Sequence, residues 1–232
     1  MIINKKFCVI GLGYFGQNLA LSLSRKGAYV LAIDKDPDRV DLIKEQVEDA
    51  VVLDSTDEKT MRNFDIKDMD AAIVAIGEDF ESSIITTAIL QEIGVKKIIN
   101  RVLNPIHERI LRSFYITDTL VPEAEAADHL ANKLIIPELL ESYKIYDNYH
   151  IYEIKVPDWL IGQTIQAANI RGQYNLNIVT IKTLAPQYGI LRFNDKKDYV
   201  VVGIPKPDSI FNENDILVLF GQEKDFMKFI GE

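Results

Sequence analysis

Six short apolar runs punctuate the first half of the chain: FCVI (7–10), YVLAI (29–33), AVVL (50–53), AAIVAI (71–76), KIIN (97–100) and TLV (119–121). Each is continuously apolar rather than alternating, and most are rich in β-branched residues. Such runs fit strands buried on both faces of a parallel sheet. The stretches between them are amphipathic and carry helix-start signals: Asp36-Pro37 before DRVDLIKEQ, a capping box over Ser55-x-x-Glu58, and Asn104-Pro105 before IHERILRSF. The alternation predicts an α/β unit, a six-stranded doubly wound parallel sheet of Rossmann type.

After the sixth run the pattern changes twice. PEAEAADHLANKLIIPELLESY (122–143) carries apolar residues at helical spacing and is interrupted by Pro137. It reads as a long helix with no further strand to feed, so its apolar face needs a second subunit or the following domain. The polar, tyrosine-rich KIYDNYH (144–150) reads as a linker. From residue 151 onward IYEIKV, TIQAANIR, NIVTIKTL, DYVVVGI, DILVLFG and EKDFMKFIG alternate strand-like and helical patterns, with FNEND (211–215) as a turn. The expected organisation is a nucleotide-binding domain over 1–143, a linker over 144–150 and a small α+β module over 151–232. There is no internal repeat and no low-complexity segment.

Composition narrows the function classes. Of the 232 residues 47% are hydrophobic and 26% charged, enough apolar side chains for a buried core. The net charge of -9 argues against nucleic acid as a partner, because a phosphate backbone calls for clustered Lys and Arg. No apolar run approaches the roughly 20 residues that span a bilayer. No signal sequence precedes the first strand, so a cytoplasmic location is expected. The single cysteine, Cys8, falls inside the first strand and reads as a small buried apolar residue.

The candidate chemistry lies in GLGYFG. In Gly11-x-Gly13-x-x-Gly16 the first glycine allows the tight turn, the second lets backbone amides approach phosphate oxygens, and the third lets helix and strand pack closely. The motif follows a strand and opens a helix. Asp34 stands 18 residues past Gly16, at the end of the next strand, where a carboxylate accepts hydrogen bonds from ribose hydroxyls and repels a 2′-phosphate. Asp54-Ser55-Thr56 ends the third strand, where an adenine edge lies in such folds. An oxidoreductase of this layout needs a proton donor aimed at the nicotinamide. His107 and His129 fall on helices expected at the surface and His150 in the linker, none with a carboxylate at telling spacing. No nucleophilic triad or Cys/His metal spacing is present. An NAD-dependent oxidoreductase is therefore the lesser alternative to a non-enzymatic nucleotide-binding protein.

VIGLGYFGQNLA, LAIDKD, VVLDSTDE, AAIVAIGEDFESSIITTAIL and LVPEAEAA, followed by GQTIQAANIRGQYNLNIVTIK and ENDILVLFG, resemble the RCK-domain (KTN) regulatory subunits of Ktr/Trk-type potassium uptake systems. The resemblance covers nearly the whole chain. It implies a regulatory subunit without catalysis, pairing through the region 122–143 and assembling into a cytosolic ring, commonly an octamer, beneath a K+-translocating membrane subunit. ATP would favour the active conformation and ADP the inactive one.

Carried onto this sequence, the resemblance assigns Gly11, Gly13, Tyr14, Phe15 and Gly16 to the phosphate loop, and Asp34 with the adjacent Lys35 to the ribose. Asp54 and Ser55 fall near the adenine, Ile76 and Gly77 beside the nucleotide, and Arg101 supplies positive charge. Glu123 matches an acidic residue that helps hold a cation, Mg2+ or a monovalent ion, at the terminal phosphates. Many ATP-responsive members carry Arg where this chain has Tyr14. A phenol lacks the charge and fork of a guanidinium, which leaves NAD(H) open as the preferred ligand. The C-terminal half resembles modules that bind cyclic di-AMP, with Ile165 and Ile170 against adenine and Arg171 and Asn177 as polar contacts.

Overall fold

The computed structural model describes residues 5–185 and 199–231, which form two compact units, one reaching to Glu123 and one running from Ala124 onward. In the first, β1 (Lys6–Ile10), β2 (Tyr29–Asp34), β3 (Asp49–Val52), β4 (Ala71–Val74), β5 (Ile98–Arg101) and β6 (Thr119–Leu120) make one sheet in the order β3-β2-β1-β4-β5-β6. Every pairing is parallel. The connections are α1 (Tyr14–Arg25), α2 (Pro37–Asp41), α3 (Glu58–Met61), α4 (Phe80–Ile93) and α5 (Pro105–Ser113). Strand order reverses between β1 and β4, which puts the ligand crevice of such sheets at the carboxyl ends of these strands.

Burial on both faces explains the continuous apolar runs. Successive side chains of a strand point to opposite faces. Cys8, Ile10, Leu31, Ile33, Ala72 and Val74 pack into one core with Met61, Leu90 and Leu111. Val9, Val30, Ala32 and Ile73 pack into the other with Leu12, Ala20 and Ile43. Cys8 is fully buried and burial pushes its thiol pKa up, in keeping with an inert packing role.

Three local expectations are corrected. The helix at β3–α3 is capped by Asp57, whose carboxylate accepts from the Thr60 amide, and not by Ser55. Ser55 instead turns inward and shares a hydrogen bond of 2.7 Å with Thr86 on α4, a partner 31 residues away. The helix expected over 122–143 stops early: α6 spans Pro122–Ile135, and Leu139–Tyr146 is β7. Pro137 cannot continue a helix, and the chain beyond it finds an antiparallel partner. The expected linker 144–150 is accordingly the hairpin between β7 and β8 (Tyr149–Lys155), turning at Asp147 with φ +49°.

The second unit is an antiparallel sheet, β10-β9-β11-β8-β7, completed by β9 (Asn177–Leu184), β10 (Tyr199–Val201) and β11 (Ile216–Gln222). The single helix expected over TIQAANIR is two short ones, α7 (Ile165–Ala168) and α8 (Ile170–Tyr174), separated by Asn169 at φ +43°. α9 (Glu223–Ile230) lays Phe226 and Phe229 into a core with Tyr152, Ile154, Leu160, Phe211, Leu217 and Leu219. The FNEND turn is held by Asp215, which accepts from the Asn212 amide at 3.1 Å. The part of DYVVVGI at Asp198 lies outside the described residues.

Candidate nucleotide site

The loop between β1 and α1 uses its three glycines differently. Gly11 sits at φ +92° and donates to the Ile33 carbonyl at 2.8 Å; a Cβ there would stand 2.9 Å from the Ile76 amide nitrogen. A Cβ on Gly16 would overlap the Gly11 carbonyl oxygen. These two glycines are required by the protein's own backbone. Gly13 is not: at φ −63° it has ordinary geometry, and among the described residues a Cβ would meet only Arg39 Nη1, at 3.9 Å. Gly13 is the N-cap of α1, with no side-chain cap and no acidic residue in the first turn. An uncapped helix start carrying partial positive charge, approached over a residue without a side chain, is a place for an anion.

Asp34 closes the other side of this loop. It is only 7% exposed, and its carboxylate accepts from the Leu12 amide at 2.5 Å and the Asp36 amide at 2.9 Å. Those bonds tie the end of β2 to the glycine loop and fix a negative acceptor beside it. Lys35 reaches Asp79, the N-cap of α4, at 3.7 Å. Asp54 is exposed at the end of β3. Its carboxylate accepts from the Thr56 hydroxyl at 2.7 Å and the Thr56 amide at 3.0 Å, and these hydrogen bonds hold its pKa below the ordinary carboxylate range.

A second group of expected residues gathers where β4, β5 and β6 end. Arg101 pairs with Glu123 and lies over the Phe15 ring, 5.9 Å from its centroid. Gly77 makes room for this guanidinium, since a Cβ there would overlap Arg101 Nη1. Arg101 is largely buried and already partnered, whereas Tyr14, on the first turn of α1, is 89% exposed. The structure thus brings Gly11, Gly13, Gly16 and Asp34 together, and separately Phe15, Gly77, Arg101 and Glu123. Ser55 has its hydroxyl committed inward.

Three side chains were missed or misjudged from the sequence. Arg39 on α2 stands beside Gly13 and Asp34, with Nη1 3.8 Å from the Asp34 carboxylate. Its only signal was a basic residue five positions after Asp34. His107, expected on a solvated surface, is fully buried: Nδ1 accepts from the Leu103 amide at 3.2 Å and Nε2 lies 3.4 Å from the Ser83 hydroxyl. Burial lowers its pKa, so it stays neutral, and both ring nitrogens are engaged. His129, expected without a carboxylate partner, lies 3.2 Å from Glu141 on β7.

In the second unit, Arg171 and Asn177 are exposed, on α8 and at the start of β9. Ile165 is half-buried and packs against the core. Ile170 is 2% exposed within that core. Among the described residues, no group of three or more His, Cys, Asp and Glu side chains is arranged to hold a metal ion, and no helix is long and apolar enough to cross a membrane.

Comparison with known proteins agrees with this architecture. The TrkA-N domain family matches residues 7–122. The chain is 32% identical over 227 residues to Ktr system potassium uptake protein C of Bacillus subtilis (strain 168), covering 98% of this chain and 96% of that protein. It is 29% identical over 231 residues to Ktr system potassium uptake protein A of the same organism, covering 100% and 98%. Among solved structures, the GsuK RCK domain superposes with a TM-score of 0.62 at 19% identity over 99% of this chain, and a GsuK channel bound to NAD with 0.63 at 16% over 99%. This chain spans 48% and 40% of those two chains, and the likeness is one of fold. A family match over the first unit and a relative aligned from end to end have one consequence: the chain belongs to the TrkA-N family, among the KtrA/KtrC-like RCK regulatory subunits of potassium uptake systems.

Proposed function

We propose that the protein is a cytoplasmic, non-catalytic gate subunit that binds ATP or ADP at the glycine loop and couples the bound nucleotide to a K+-translocating membrane subunit. The observation that carries this reading is the division of labour in GLGYFG. Gly11 and Gly16 are demanded by the fold, whereas Gly13 is left bare over an uncapped helix start beside Asp34. A bare glycine that no protein atom requires leaves room for phosphate. Asp34, with each oxygen still able to accept a further bond, suits the ribose hydroxyls, and Asp54 suits the adenine end.

A ligand shifts a gate only by its difference in affinity for the two conformations. The γ-phosphate is the difference between ATP and ADP. The Arg101–Glu123 pair stands beside the loop and would sense that charge: a phosphate draws Arg101, releasing Glu123 toward a cation. A single carboxylate suits Mg2+ or a monovalent ion whose other ligands are phosphate oxygens and water. Pairing of subunits through α6, whose Leu130, Leu134 and Ile135 are exposed, and a ring of eight beneath the membrane subunit complete the reading. Cyclic di-AMP is assigned to the second unit through Arg171 and Asn177, with Ile165 as the apolar contact.

One observation favours NAD(H) as a second reading. Tyr14, which stands in the glycine loop, offers no charge to a terminal phosphate. Calorimetric titration with ATP, ADP, NADH and cyclic di-AMP, on the native chain, Asp34→Ala and Arg171→Ala, separates the cases. Asp34→Ala is expected to weaken adenine-nucleotide binding at least 10-fold with cyclic di-AMP unchanged, since hydrogen bonds to a charged group contribute about 1.5–3 kcal/mol. Arg171→Ala is expected to do the reverse. Tight binding of NADH alone, with no heat from ATP or ADP, would replace the ATP/ADP switch by the redox-nucleotide reading.

A further inference from the structure

We infer that Arg39 is a ligand-binding residue of the glycine loop, and that it takes the 5′-phosphate joining ribose to the rest of an adenine nucleotide. The inference rests on the nucleotide reading above and adds a residue and a ligand atom group to it.

Position comes first. Arg39 leaves α2 toward the loop, and its Nη1 is the atom that a Cβ on Gly13 would meet, at 3.9 Å. The same nitrogen lies 3.8 Å from Asp34 Oδ2. Gly13 marks where phosphate approaches backbone and Asp34 marks the ribose, so the guanidinium stands between the two. The atom group of a 5′-nucleotide that lies between them is the ribose-linked phosphate.

The present contacts of Arg39 are loose. Nη1 to Asp34 at 3.8 Å and Nε to Asp36 at 3.5 Å are charge contacts, not well-formed hydrogen bonds. Both carboxylates keep other partners if Arg39 moves. Asp34 is held by the Leu12 and Asp36 amides, and Asp36 caps α2 through the Asp38 amide at 3.0 Å. The side chain is half-exposed, so exchanging a screened carboxylate contact for a forked contact to phosphate requires no refolding.

Charge gives the reason for such a residue. Tyr14 brings no cation to the loop and Arg101 is paired with Glu123. Arg39 therefore supplies positive charge beside a helix start that otherwise offers only partial charge. A 2′-phosphate is the other anion an arginine near this strand end could take. It would have to sit against the buried Asp34 carboxylate, and that repulsion favours the 5′-phosphate.

The test compares adenosine, AMP, NAD and NADP by calorimetry on the full chain, for the native protein, Arg39→Gln and Arg39→Lys, at two salt concentrations. In Arg39→Gln the preference for AMP over adenosine is expected to shrink about 10- to 100-fold, with adenosine affinity unchanged and a shallower salt dependence. Arg39→Lys, which keeps charge without the fork, should retain part of the preference. An unchanged AMP-to-adenosine ratio in Arg39→Gln overturns the inference and leaves the nucleotide site standing. So does equal weakening of adenosine and AMP, which would make Arg39 a structural support, or a tighter grip on NADP than on NAD that vanishes in Arg39→Gln, which would move its partner to the 2′-phosphate. If the native chain binds none of the four, the nucleotide reading itself fails and the inference with it.

Discussion

Gly16→Ala should unfold the N-terminal unit, while Gly13→Ala should leave it folded and abolish tight nucleotide binding. The two changes add the same methyl group three residues apart. At Gly16 the methyl would occupy the space of the Gly11 carbonyl oxygen. That oxygen has nowhere to go. Gly11 is held at φ +92°, its amide is bonded to Ile33, and the backbone of Ala75 and Ile76 lies against its other side. Parting α1 from β1 to relieve the overlap would open the core around Leu12 and Ala20. Strain of this kind belongs with the largest single-residue effects, above about 4 kcal/mol, against a total stability of order 5–15 kcal/mol.

At Gly13 the nearest atom is a movable guanidinium and φ is ordinary, so the alanine variant should stay folded, with the gain from a stiffer unfolded chain offset by alanine's poorer fit at a helix N-cap. Its methyl would stand where phosphate must approach. Circular dichroism melts and nucleotide titration of both variants check the pair. Native-like affinity in a folded Gly13→Ala protein would contradict the placing of phosphate at this loop.

Phe226→Ala should destabilise the second unit by about 3–5 kcal/mol, the range for deleting a fully buried aromatic side chain. Phe226 has no exposed surface and lies flat against Tyr152, with ring centroids 3.7 Å apart. Removing it leaves one side of the Tyr152 ring without a partner and detaches α9 from the sheet beside Phe229. Tyr152→Phe is the matched control. Among the described residues the Tyr152 hydroxyl is buried without a hydrogen-bond partner, and burial pushes its pKa up, so removing that oxygen should be neutral or stabilising. Urea unfolding of the two variants measures both signs. A loss below about 1 kcal/mol in Phe226→Ala would contradict this picture of the core.

The sheet of the first unit was legible because parallel strands buried on both faces leave continuous apolar runs, and β1, β2 and β4 are such strands. β7 was not legible for the opposite reason. It has one antiparallel neighbour in its sheet and is largely exposed beyond Leu139, so LLESYKIY offers no uniform run and was absorbed into the helix before it. Pro137 was the local sign of the break. Ser55 and Asp57 are both plausible caps in DSTDE, and the choice was made by Thr86, a partner brought in only by tertiary structure.

The candidate site divides in the same way. The glycine loop and Asp34 are a local pattern with a fixed spacing and could be read directly. Arg39 could not, because what matters about it is its distance to Gly13 across two elements. His107 follows the same rule. Its burial depends on Phe80 and Ser83 of α4, whose ring and hydroxyl come from another segment of the chain. Ile170 shares its helix with the exposed Arg171, and only the packed structure tells the core residue from the open one.

The central claim is that a nucleotide held at this loop sets K+ flux without being consumed. The most direct measurement is K+ uptake into proteoliposomes carrying a Ktr-type membrane subunit, with and without this protein, in the presence of ATP, ADP or NADH. The expected result is faster uptake with ATP than with ADP only when the protein is present, and recovery of the nucleotide unchanged. Uptake indifferent to every nucleotide, or steady conversion of the nucleotide to product by the protein alone, would contradict it.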